Sequence, residues 1–301
     1  MGNHLYDTLI SCHAGKQATF LTRDGAPDLS FDAFLGLAAR LAHVLVVQGL
    51  TPGDRVVVQA AKSVEMVALY AATIQAGGVF LPLNTAYTRD EVAYFVGDAA
   101  PRVMVCDGGA QEALTGLAQE VGASLLTLNA DGSGSLTQGI EALPATFDTV
   151  PRGAEDLAGL LYTSGTTGRS KGAMMTHDNL LSNARTLVAQ WRITDEDRLI
   201  HALPIFHTHG LFVAMNTSLA AGAQVHFMPK FDLDAIFAAL PGATTMMGVP
   251  TFYTRLLNDP RLTRAATANM RLFISGSAPL LAETHTAFTR ATGHHILERY
   301  G

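Results

Sequence analysis

Residues 162–172 read YTSGTTGRSKG, with three glycines, five serine or threonine side chains and two cations in eleven positions. Such a run gives little to a hydrophobic core and offers many hydrogen-bond donors, so its place between regular elements decides its role. The apolar LAGLLYT precedes it. THDNLLSNARTLVAQW follows, and its spacing predicts a helix capped by Thr176 with Leu180, Leu181, Ala184, Leu187, Val188 and Trp191 on the buried side. A glycine-rich run between strand and helix lies beyond the carboxyl end of a strand, where open α/β sheets bind ligands. Glycine lets an anion approach the backbone, hydroxyls add donors and Lys171 adds a point charge, so a polyphosphate is the natural guest. A Walker A loop would need Gly at Ser170 and Ser or Thr at Gly172, and a dinucleotide turn would need G-x-G-x-x-G, so the run is neither. A flexible solvent loop is the plain alternative. The buried strand before it and the capped helix after it weigh against that reading.

Working outward, DRVVVQA, VFLPL, RVMVC and SLLTL read as short buried strands, separated by the helical patterns SVEMVALYAATIQAG, RDEVAYFVGDA and QEALTGLAQEVG. Ser30 is a candidate cap for a helix ending at Gly49. The rhythm lapses over 129–152, which is rich in Gly, Ser, Thr and Pro, and resumes with DRLIHAL, AQVHFM, TTMMGV, MRLFISG and HHILERYG as strands. The expected fold is α/β: two parallel-sheet βαβ subdomains flanked by helices, residues 1–150 and residues 151–301.

With 48% apolar residues, 15% charged and a net charge of -6, the chain has the composition of a globular protein and no basic footprint for nucleic acid. The most apolar window contains Glu65 and Gln75 and is broken by Gly77, Gly78 and Pro82, so no membrane segment is expected. The N-terminus shows no basic leader followed by an apolar run. Cys12 and Cys106 lie far apart and outside metal-ligand spacing, which fits a reducing compartment; the cytoplasm is expected.

YTSGTTGRSKG resembles the phosphate-loop signature of the adenylate-forming enzymes, a family that includes acyl-CoA synthetases, luciferases and adenylation domains. The likeness continues through Leu203–His207, GVPTFY, SGSAPL and the terminal ERYG, and in HTHG, MPKFD and GVPTFYTRLL it is most similar to the malonyl-CoA synthetases. The resemblance implies the fold of that family's large N-terminal domain and an ATP-dependent ligation of an acid to coenzyme A through an acyl-adenylate. It implies ATP, Mg2+ carried by ATP, and coenzyme A as a co-substrate, with no metal site in the protein itself.

Carried over residue by residue, Thr163, Ser164, Gly165, Thr166, Thr167, Gly168 and Lys171 match the loop that holds the outer phosphates. Gly276, Ser277 and Ala278, with Tyr300 and Gly301, match the adenine site. His207 matches a wall of the acid pocket near the reacting carboxylate, with Gly210 giving room, although a plain loop histidine is the commoner reading of either His207 or His209. For malonate the second carboxylate needs a guanidinium, and Arg255 and Arg299 are the candidates beside Ser277; each has a plain reading as a solvated or ion-paired arginine. Lys230 in MPKFD matches a cation near coenzyme A, and a surface lysine is as common a reading. Asp195, Glu196 and Asp197 read as a solvated acidic turn. The resemblance further implies a longer protein: the rest of the Y-G-x-T-E motif and a small C-terminal domain, the natural intramolecular partner, are not in these residues, so poor activity of the chain alone is expected. A ligase for another short acid and a non-catalytic ATP-binding module are the competing readings.

Overall fold

The computed structural model describes residues 2–163 and 170–299. In chain order the elements are α1 (His4–Leu9), β1 (Thr19–Arg23), β2 (Ala26–Ser30), α2 (Phe31–Val47), β3 (Arg55–Gln59), α3 (Val64–Gln75), β4 (Val79–Pro82), α4 (Arg89–Ala99), β5 (Val103–Cys106), α5 (Gln111–Val121) and β6 (Ser124–Thr127). There follow β7 (Leu157–Thr163), β8 (Lys171–Thr176), α6 (His177–Trp191), β9 (Arg198–His201), a π-helical turn His209–Met215 running into α7 (Asn216–Ala221), β10 (Gln224–Phe227), α8 (Leu233–Ala239), β11 (Thr245–Gly248), α9 (Pro250–Leu257), β12 (Leu272–Ser275), α10 (Ala282–Thr292) and β13 (Ile296–Glu298).

Local chemistry sets these boundaries. Ser63 accepts from the Met66 amide at the start of α3, and Thr88 and Glu91 form a reciprocal capping box that starts α4. The chain leaves α2 through Gly49 at φ +83, a left-handed conformation that costs glycine no Cβ clash. Thr176 and Asn179 cap the start of α6, the side chain of each accepting from the backbone of the other at 3.1 Å.

The described residues form two sheets, ordered β6-β5-β3-β4-β7-β8 and β13-β12-β11-β9-β10-β1-β2. Pairing is parallel except at the hairpins β7/β8 and β1/β2. Short strands joined by single helices bury both faces of such sheets, and the uninterrupted apolar runs VVV, VMV and LFI are the sequence form of that burial. The α/β class with two mostly parallel sheets is as expected.

The chain divides into two compact units, residues 1–17, 31–183 and 205–208, and residues 18–30, 184–204 and 209–301. In the first, Val57, Leu81, Phe95, Val96, Met104, Leu117 and Tyr162 share one apolar cluster. In the second, Ile200, Ile236, Met246, Tyr253, Phe273 and Phe288 share another.

Three expectations change. A division at residue 150 separates β7 and β8 from the sheet they complete, since β7 pairs with β4 at Phe80↔Gly159 and β8 returns along β7. The polar stretch 129–152 is a connection held within the first unit, with the Val150 amide bonded to the Gln75 carbonyl at 2.9 Å. The β1–β2 hairpin joins the second sheet beside β10. The glycine-rich run is not a strand-to-helix turn: it joins two antiparallel strands, and the helix starts only after β8. Asp197 is not a solvated residue of an acidic turn. It is buried, and Arg271 Nε donates to it at 2.8 Å and Thr244 Oγ1 at 2.7 Å. Burial pushes its carboxyl up, and those hydrogen bonds outweigh burial and leave it below the ordinary range.

Candidate functional site

The first unit presents the glycine-rich run at the carboxyl end of β7. Thr163 ends that strand and pairs across the hairpin with Lys171, the exposed first residue of β8. Ser164, Gly165, Thr166, Thr167 and Gly168 lie outside the described residues. The two strand ends that hold the run are fixed from α4: Tyr94 donates its hydroxyl to the Ser170 carbonyl at 2.8 Å, and Tyr162 donates to Asp98 Oδ2 at 2.5 Å.

Beside these strands is a cavity of about 250 Å³ lined by Pro82, Leu83, Asn84, Tyr87, Leu161, Tyr162, Phe206, His207 and Thr208. His207 therefore does line a pocket, as the wall of an acid site would. The residue is exposed at the rim, while the atoms around its ring desolvate it enough to lower its pKa from the ordinary value.

In the second unit, parallel strands deliver SGSAPL at the end of β12 and Arg299 just after β13; the Arg299 amide bonds the Ser275 carbonyl at 2.8 Å. Ser277 adopts φ +71, a left-handed conformation uncommon for serine and a local store of backbone strain. Its hydroxyl lies 3.2 Å from Nδ1 of His209. A Cβ at Gly276 would come within 3.1 Å of His209 Cε1, so the imidazole lies close beside this turn. His209 is buried, and burial, followed by the charge of Arg299, pulls its pKa down to about 4. It is neutral at pH 7. Its Nε2 is buried with no partner among the described residues.

Arg299 is half-buried, and desolvation lowers its pKa from the ordinary guanidinium value. Among the described residues it forms no ion pair. The structure thus gathers Gly276, Ser277, His209 and Arg299. Ala278 is exposed on the same turn, and Tyr300 and Gly301 lie outside the described residues. Arg255 is exposed on α9 with its Cζ 4.3 Å above the Phe231 ring, and no hydrogen bond or ring contact among the described residues ties it to His209, Ser277 or Arg299. Lys230 is exposed between β10 and α8. Gly210 serves the chain itself: a Cβ there would overlap the Pro204 carbonyl oxygen, and its own carbonyl accepts from His201 Nε2 at 2.8 Å.

His209 is the residue that the sequence left undistinguished. Its signal was the pair HTH, but only folding separates a rim histidine from a buried one. Among the described residues no three of His, Cys, Asp and Glu stand together as metal ligands, and no helix is long and apolar enough to cross a membrane.

The class defined by this fold and these turns is an α/β protein whose polar turns crowd the carboxyl ends of parallel strands. Within that class the chain belongs to the AMP-binding enzyme family, which it matches over residues 11–301. It is 52% identical to the crystal structure of apo MatB from Rhodopseudomonas palustris, with a TM-score of 0.97 over 100% of this chain and 60% of that one. It is 32% identical over 292 residues to a mitochondrial malonate–CoA ligase of Mus musculus, covering 90% of this chain and 49% of the relative. A malonate–CoA ligase of Arabidopsis thaliana is 31% identical, covering 84% of this chain and 45% of that protein. The chain spans about half the length of these curated relatives.

Proposed function

We propose that the chain is the nucleotide- and acid-binding part of an ATP-dependent acid–thiol ligase whose acid is malonate. One malonate carboxylate oxygen bonds the α-phosphorus of ATP as the bond to the β-phosphate oxygen breaks, and pyrophosphate leaves. The coenzyme A thiol then adds to the acyl carbon, loses its proton and expels AMP. Alignment and charge stabilisation are the protein's main contributions to such a reaction. Residues 163–168 and Lys171 take the outer phosphates, and Gly276, Ser277 and Ala278, with Tyr300 and Gly301, take the adenine. Mg2+ arriving with ATP would neutralise part of the triphosphate charge. His207 forms one wall of the acid pocket, and Lys230 meets coenzyme A.

One observation carries malonate over a monocarboxylic acid: Arg299, half-buried and without an ion pair among the described residues, stands beside a neutral imidazole and a serine hydroxyl. A guanidinium with two flanking hydrogen-bonding groups fits a second carboxylate, whereas an alkyl tail would leave that cation desolvated and unpaired. The two relatives named malonate–CoA ligases support the same acid.

Calorimetric titration of the chain with ATP, with pyrophosphate release measured on the chain joined to the C-terminal portion of a longer relative, tests the reading. ATP binding with release that requires malonate supports the ligase; binding without release under any acid supports a nucleotide-binding module; equal release with malonate and propionate supports a ligase for another short acid. Loss of malonate use in Arg255→Leu but not in Arg299→Met moves the carboxylate clamp to Arg255.

A further inference from the structure

Helix α4 carries two polar side chains that the proposed reaction does not use. We propose that Tyr94 and Asp98 are positioning residues for the phosphate loop: one helical turn apart, they grip the two ends of the β7–β8 hairpin and hold the loop in register. The proposal rests on the reading of residues 163–171 as a phosphate-binding loop.

The geometry is specific. Tyr94 holds the returning end through the Ser170 carbonyl, at 2.8 Å, and Asp98 holds the outgoing end through the Tyr162 hydroxyl, at 2.5 Å. Residues four apart on a helix share one face, so a single rigid element reaches both stems. Between them Phe95 lies against the Tyr162 ring with centroids 4.5 Å apart. The platform is itself fixed: the Thr88–Glu91 capping box locks its first turn, and Val92, Phe95, Val96 and Ala99 are buried in the core of the first unit.

The hairpin needs such a support. Among the described residues β8 is the edge of its sheet and pairs with β7, from Leu157↔Thr176 to Thr163↔Lys171. Residues 164–169 include two glycines, the residue type that loses most conformational freedom on ordering, so fixed stems lower the cost of binding an anion. The chemistry of the grip also favours permanence. Burial, followed by the Asp98 carboxylate, raises the Tyr162 pKa, so the phenol keeps its proton as a donor, and an ionised acceptor makes the stronger bond. Asp98 is exposed, so its charge remains hydrated. The same bond fixes the Tyr162 ring as a wall of the cavity that His207 lines.

The test compares Tyr94→Phe, Asp98→Asn and Tyr162→Phe in the full chain with Asp90→Asn, a control on the same helix whose side chain is 95% exposed. Tyr94→Phe and Tyr162→Phe each remove one hydrogen bond, and Asp98→Asn turns a charged acceptor into a neutral one, all with almost no change in volume. The expected result is about a five- to tenfold rise in the dissociation constant for Mg·ATP in Tyr94→Phe and Tyr162→Phe, the loss that one such bond brings, and a smaller rise in Asp98→Asn. Amide exchange at residues 161–163 and 171–173 speeds up, and the thermal midpoint stays with that of Asp90→Asn. Tyr162→Phe combined with Asp98→Asn is no weaker than Tyr162→Phe alone, because without the phenol the charge of Asp98 has no bond to strengthen. Unchanged ATP affinity in Tyr94→Phe and Tyr162→Phe, or a loss that only follows global melting, overturns the proposal. If the unsubstituted chain binds no ATP, the nucleotide reading fails separately, and unchanged exchange at the stems then overturns the brace.

Discussion

The glycine-rich run of the first unit and the SGSAPL turn of the second both leave the carboxyl end of a parallel strand, yet they are held in opposite ways. The first is long, and its stems are tied from outside by Tyr94 and Asp98. The second is short and holds itself: Ser277 accepts a left-handed backbone, and the His209 ring lies close beside Gly276. The difference teaches that a turn can be shaped either by fixing its ends or by packing its centre. Substitutions then fail differently, through ligand affinity in the first case and through stability in the second.

The comparison breaks most sharply at Gly210→Ala. The new methyl overlaps the Pro204 carbonyl oxygen, a backbone atom that cannot turn aside, and displaces the segment that carries His209. Chemical denaturation is expected to show a loss of about 3 kcal/mol or more. Next comes Arg299→Met, which fills similar volume without the charge. Discrimination between malonate and propionate is expected to fall about hundredfold, the scale of a charge-assisted pair, with little change in ATP affinity.

Acid sharpens the contrast further. His209 and, in the first unit, His177 are buried and have pKa values of about 4, against about 6.5 for an exposed imidazole; burial is the first cause of each. Their folded pKa values are depressed, so the unfolded chain binds more protons between these limits. The stability they confer is present above about pH 6.5 and is lost as pH falls towards 4, by up to about 1.4 kcal/mol per pH unit for each. In His177→Asn the amide oxygen replaces the Nδ1 that accepts from the Leu5 amide at 3.3 Å. Urea midpoints measured across pH 4–7 should then show a shallower slope. A slope equal to that of the unsubstituted chain would remove His177 from the account. The smallest effect is expected at Ser277→Gly, where relief of the φ +71 strain offsets the lost contact with His209, leaving a net change within about 1 kcal/mol.

These elements also show what the sequence made legible. The parallel strands followed from β-branched runs between helical patterns, and the helices from caps such as Ser63 and Thr88, because both signals are local. The hairpin β7–β8 was hidden because Lys171–Thr176 reads as the tail of a polar loop, and its strand character comes from pairing with β7. The boundary between the units was hidden for the same reason: 129–152 has linker composition but is pinned to the first unit by tertiary hydrogen bonds. Of the candidate site residues, the glycine-rich run, Ser277 and Arg299 were visible through motif and charge. His209 and Asp197 were not, since burial of a lone polar residue depends on elements distant in the chain, as with Asp197 and Arg271.

The most direct test of the central claim measures, by calorimetry, how tightly the chain binds two unreactive acyl-adenylate analogues, one malonyl and one propionyl. The account predicts at least tenfold tighter binding of the malonyl compound, the scale of one charge-assisted hydrogen bond, and loss of that preference in Arg299→Met. Equal affinity for the two analogues, or a preference that survives Arg299→Met, would contradict it.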